Sequence, residues 1–217
     1  MTRRSLCVVA IVALAWAGPV FSQCADPSNL LSADLCGFDT AASVNQTTGW
    51  WKVLPEFIGD PDWGNFVHSA TGGRTSPGSM AGTSVDNGPP PFGFGSLLGA
   101  RYCLPHAVAI GDTLGFGGWV RIDTGAVNYC EVSLFTSDSA DCSTGSLDVA
   151  FYDVYTVPAG TWTKLNSGDV TLTATTAAAG VELRMACLAN ADFTATFDDA
   201  YIGPGMVPVE LQSVSID

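Results

Sequence analysis

Two stretches of this chain gather side chains that could do chemistry. Asp198 and Asp199 stand side by side in Thr194-Ala-Thr-Phe-Asp-Asp-Ala-Tyr-Ile202, whereas most other acids are scattered singly. Such a pair is either a solvated strand end or half of a metal site, because hard cations are held by oxygen. In Gly59-Asp-Pro-Asp-Trp-Gly-Asn65, the polar groups Asp60, Asp62 and Asn65 surround the ring of Trp63. Exposed aromatic rings stack on the flat faces of ligands while neighbouring carboxylates and amides take up hydroxyls. Trp51 and Trp63 are the leading rings of this kind, followed by Tyr129 and Tyr155. The 59–65 stretch is not an EF-hand, since Thr71 stands where the closing Glu belongs.

Catalytic patterns are missing. The glutamates are Glu56, Glu131, Glu182 and Glu210, and none forms the closely spaced Glu-x-Asp-x-Glu of jelly-roll glucanases. Val181-Glu-Leu-Arg184 resembles one strand of an alginate lyase, but the accompanying Gln-x-His and Tyr-x-Lys elements are absent. No Gly-x-Ser-x-Gly elbow occurs, and the two histidines, His68 and His106, offer little for a triad. A non-catalytic binding domain is the expectation. A structural or adhesive domain is the alternative.

The elements that position these groups read as strands. Phe193, Ala195 and Phe197 alternate with Thr194, Thr196 and Asp198, and Gly203-Pro-Gly205 ends the run. Cys130, Val132 and Leu134 alternate with Tyr129, Glu131 and Ser133. Val181, Leu183 and Met185 oppose Glu182 and Arg184. Trp119 and Trp162 sit among apolar strand residues, which places them in the core. Extended helical periodicity is absent, and Gly and Pro punctuate the chain. About ten short antiparallel strands follow, an all-β jelly roll or sandwich.

Residues 1–22 read as an export signal, with Arg3 and Arg4 before an apolar run from Leu6 to Trp16 that is too short to span a bilayer. Removing it leaves 21 acids against six basic residues, a net charge near −15. Such a surface repels nucleic acid and anionic lipid. Cys7 leaves with the signal, and Cys24, Cys36, Cys103, Cys130, Cys142 and Cys187 remain. An even set in an exported chain reads as a disulfide framework, with Cys24–Cys36, Cys130–Cys142 and Cys103–Cys187 as the expected pairs. Zinc is disfavoured, since no Cys-x-x-Cys occurs. Residues 23–205 form one β domain and 206–217 a tail that alternates like a strand beyond the break.

The order of features matches a known pattern. Asn29-Leu-Leu, Cys36-Gly-Phe-Asp39, Gly49-Trp50, Gly78-Ser79, Tyr102-Cys103, Trp162-Thr-Lys164 and Phe197-Asp-Asp-Ala-Tyr201 follow one another over residues 28–203. This resembles carbohydrate-binding modules of the family 4 and 9 type. The resemblance implies a galactose-binding-like β-sandwich, secreted, that binds polysaccharide or oligosaccharide. It also implies a structural calcium held by Asp39 with Asp198 or Asp199, although the family more often has Glu at the position of Asp39.

Overall fold

The computed structural model describes residues 23–44, 48–52, 65–86, 95–144, 146–173 and 177–204. The expected export signal, the tail from 206, and the Asp60, Asp62 and Trp63 group lie outside them. For Trp51 and Asn65 only the backbone is described.

Among the described residues ten strands run β1 (Trp51–Lys52), β2 (Asn65–Ser69), β3 (Ser79–Ser84), β4 (Ser96–Leu104), β5 (Thr113–Thr124), β6 (Tyr129–Ser137), β7 (Ser146–Val154), β8 (Thr163–Thr171), β9 (Gly180–Ala189) and β10 (Phe193–Pro204). They form two five-stranded sheets, ordered β1-β4-β9-β6-β7 and β2-β3-β10-β5-β8. The strand pairs of both sheets are antiparallel. The expected all-β sandwich is the observed fold. β8 pairs with β5 with a register shift between Gly115 and Gly117.

Alternation decides what each sheet buries. Cys130, Val132 and Leu134 of β6 and Val181, Leu183, Met185 and Cys187 of β9 turn inward, each at most 1% exposed. Phe116, Val120, Ile122, Phe193 and Phe197 meet them from the second sheet, equally buried. Rings knit one end of this core: Phe38 lies 5.5 Å from Trp50, and Trp50 lies 5.7 Å from Tyr102. Trp50 donates its indole N–H to the Leu35 carbonyl at 2.8 Å, so the buried ring leaves no orphan donor.

Before the first strand the chain makes a short helix, α1 (Ala33–Gly37). Ser32 caps it by accepting the Leu35 N–H, and Phe38 leaves it in the left-handed region. This segment packs on β10: Leu30 donates its N–H to the Ile202 carbonyl at 2.7 Å, and Asn29 donates to the Ala200 carbonyl at 3.1 Å.

The six cysteines among the described residues are all paired, with two partners exchanged relative to expectation. Cys24–Cys36 forms as expected, but Cys103 bonds Cys142 and Cys130 bonds Cys187. Cys130 and Cys187 are direct register partners on the inner face of β6 and β9. Cys103 pairs in register with Glu182, whereas Cys187 faces Leu98. Cys103 is thus five residues, about 17 Å, along β4 from the position opposite Cys187, and on the other face of the sheet. The expected Cys103–Cys187 bond is geometrically barred.

Trp119 and Trp162 are also corrected. Neither is in the core: Trp119 stands half-buried on the outer face of the second sheet, and Trp162, just before β8, is half-buried against the Arg121 guanidinium. In β5 the inward positions are Leu114, Phe116, Val120 and Ile122, and Trp119 has the opposite parity.

Candidate functional site

The outer face of the first sheet collects polar and aromatic side chains in register. Arg101 of β4 faces Arg184 of β9, which faces Ser133 of β6, which faces Phe151 of β7. Trp51 of β1 takes the register position beside Arg101. One row along, Glu182 faces Phe135, which faces Val149. In the other direction, Gly99, Ala186, Glu131 and Asp153 form a row. Gly99 and Ala186 leave little side-chain bulk between the arginines and the next row.

Glu182 is 4% exposed and joins the two arginines: Arg184 donates its Nε–H to Oε1, and Arg101 Nη1 lies 3.7 Å from Oε2. Cations directly opposite one another repel, and the shared carboxylate offsets that. The Arg184 guanidinium also sits 3.8 Å from the centroid of Phe135, which meets Phe151 edge-on at 5.5 Å. Ser133 is fully buried and its hydroxyl has no hydrogen-bond partner among the described residues.

At the open end, Tyr129 and Tyr155 lie 5.6 Å apart. Tyr155 is 71% exposed and donates its hydroxyl to Asp153 at 3.0 Å. Asp153 is the cross-strand partner of Glu131. Burial, then the charge of Asp153, pushes the Glu131 carboxyl above its usual range, with Arg184 opposing. Burial and the same carboxylates raise the Tyr129 phenol. The opposite end is walled by the loop after β6, which Cys103–Cys142 pins against β4. That loop comes close enough to β9 that a Cβ on Gly180 would stand 2.4 Å from the Ser139 carbonyl oxygen.

Of the residues expected to bind ligand, Tyr129 and Tyr155 are brought together on this face, and Trp51 occupies the same sheet. Asn65 begins β2 in the other sheet, so the expected set is divided between the two layers. The missed residues are Arg101, Glu131, Ser133, Phe135, Phe151, Asp153, Glu182 and Arg184. Alternation shows that Glu131, Glu182 and Arg184 face outward, but register between distant strands carries no local signal.

The expected metal residues have different surroundings. Asp198 and Asp199 are both fully buried, while Asp39 is exposed. Neighbours in a regular strand point to opposite faces, but a bulge breaks β10 here, with Asp199 at φ 49°. Both carboxylates therefore reach the loop 71–78. Asp198 accepts the Arg74 backbone N–H at 2.5 Å and Asp199 pairs with the Arg74 guanidinium at 2.8 Å. Burial and the charge of Asp199 push Asp198 up to about 7.

This architecture belongs to the β-sandwich class, and its structural neighbours include carbohydrate-binding modules. The CBM22-1 xylan-binding domain of Paenibacillus barcinonensis Xyn10C matches 84% of this chain and 96% of its own, at 16% identity and a TM-score of 0.51. The enzymatically active domain of bacteriophage CBA120 tailspike protein 4 matches 82% of this chain but 21% of its own, at 10% identity and a TM-score of 0.53. The CBM22-1–GH10 modules of Clostridium thermocellum xylanase 10B match 77% of this chain and 27% of theirs, at 15% identity and a TM-score of 0.50. At these identities the likeness defines the fold. No family model and no curated protein matches the chain.

Proposed function

We propose that this is an exported, non-catalytic glycan-binding domain whose ligand lies on the outer face of the first sheet. The observation that carries the reading is the Tyr129–Tyr155 pair beside Glu131 and Asp153. A solvent-facing ring can stack on the CH face of a sugar, while the carboxylates accept its hydroxyls. The Arg101–Glu182–Arg184 cluster extends the polar surface across the sheet, and Trp51 in register beside it is a further stacking position. Trp63, Asp60 and Asp62 are proposed as further ligand contacts on residue type alone. Three disulfides suit an oxidising, extracellular setting.

Affinity electrophoresis across soluble polysaccharides tests this. Retardation by at least one glycan is expected, weakened about tenfold in affinity by Tyr155→Ala. Failure of every glycan to retard the protein, or retardation unchanged in Tyr129→Ala and Tyr155→Ala, refutes it.

One observation favours hydrolysis as a second reading. Glu131 and Asp153 are opposed across two strands, and burial drives Glu131 toward its protonated form, as the general acid of glycoside hydrolysis requires. Release of reducing ends from a bound glycan, lost in Glu131→Gln, would establish it over simple binding.

A further inference from the structure

We infer that the cation neutralising the carboxylates of the last strand is the chain's own Arg74, which takes the place of a structural calcium ion. The expected donor set does not fit calcium, which takes six to eight oxygens. Every oxygen of Asp198 and Asp199 already faces a donor. Asp199 Oδ2 accepts from Arg74 Nη1 at 2.8 Å, and its Oδ1 accepts from the Thr75 hydroxyl. Asp198 Oδ2 accepts from the Arg74 N–H at 2.5 Å, and its Oδ1 accepts from the Asp199 N–H at 2.8 Å. Backbone N–H groups pointing at a carboxylate present hydrogen, the wrong end of the dipole for a metal.

The third expected ligand is out of place. Among the described residues, the one group of three potential ligands within 4.8 Å is Cys24, Cys36 and Asp199, and those cysteines are bonded to each other. Asp39 is not part of it. The guanidinium is held independently of the acids, with its carbon 3.7 Å from the centroid of Trp119. Trp119 is the register partner of Asp198, so ring, cation and carboxylates form one stack across β5, the loop and β10.

The loop is built to present Arg74. Gly73 donates its N–H to the Pro77 carbonyl at 3.3 Å, and Ser76 reaches the Gly37 carbonyl at 3.1 Å. A Cβ on Gly73 would stand 2.0 Å from the Gly78 carbonyl oxygen, so the backbone closes on itself there. Arg74 thereby ties this loop to the final strand, whose neighbouring residues hold the N-terminal segment.

This inference is independent of glycan binding, and two measurements test it. The melting temperature of the whole protein is expected to be the same in excess calcium and in EDTA, and terbium is expected to give no tryptophan-sensitised emission. Arg74→Met is expected to lower the melting temperature by roughly 10 °C, since it strands a buried carboxylate. Should Arg74→Met not fold, Arg74→Lys, which keeps the charge without the planar fork, is expected to lose part of that stability. A wild-type melting temperature that rises with calcium and falls with EDTA, with the response gone in Asp199→Asn, overturns the inference. So does an Arg74→Met protein that melts like the wild type.

Discussion

Asp198 gives the domain a stability that declines as pH rises. In the folded chain its carboxyl is pushed from 3.8 up to about 7, by burial first and by the adjacent Asp199 second. The other charge beside it is the Arg74 guanidinium, which pairs with Asp199. Between those two values the folded protein keeps a proton that the unfolded chain has released. The proton count then favours folding less with each step up in pH, at about 1.4 kcal/mol per unit. The contribution is complete below about pH 4, drops by roughly 4 kcal/mol by pH 7, and is constant above that. Urea unfolding across this range, on the wild type and Asp198→Asn, isolates the effect, because all other titrations are common to both. The wild-type advantage over the variant is expected to shrink by this amount between pH 4 and 7. A difference that is flat or grows with pH would refute the reasoning, and would mean that the N–H groups of Arg74, Thr75 and Asp199 hold Asp198 ionised.

Three further outcomes follow from the same geometry. Replacing Cys103 and Cys142 by Ser opens a bond spanning 39 residues and is expected to cost about 4 kcal/mol in denaturant unfolding, without loss of strand content. Mild reductant followed by alkylation and mass spectrometry should label half-buried Cys142 before Cys130 and Cys187, which are fully buried. Glycan affinity measured against pH should fall on acidification at a pH above the ordinary glutamate range, because Glu131 takes up its proton early. Glu131→Gln should remove that step.

Much of the fold was legible in the chain because strand alternation is a local property. Cys130, Val132 and Leu134 against Tyr129, Glu131 and Ser133 identified both the strand and its buried face, and β10 appeared within two residues of its observed ends. Apolar neighbours are a poorer guide than parity: Trp119 of β5 and Trp162, just before β8, sit among apolar residues yet stand half-buried outside the core. The candidate site was half visible. Tyr129 and Tyr155 were named from ring type alone, but their contact depends on how β6 pairs with β7.

What the sequence determined by itself is therefore the all-β class, most strand faces and the set of cysteines from which the pairs are drawn. Tertiary structure alone decided which cysteines meet, which cation answers Asp198 and Asp199, and which polar residues share the outer face of the first sheet. Each of these joins residues far apart in the chain through strand order and register. Nothing in the local pattern of either partner encodes that order. Arg74 shows it plainly: a lone arginine in a loop, 124 residues from Asp198, becomes its partner only when the loop closes over the bulge in β10.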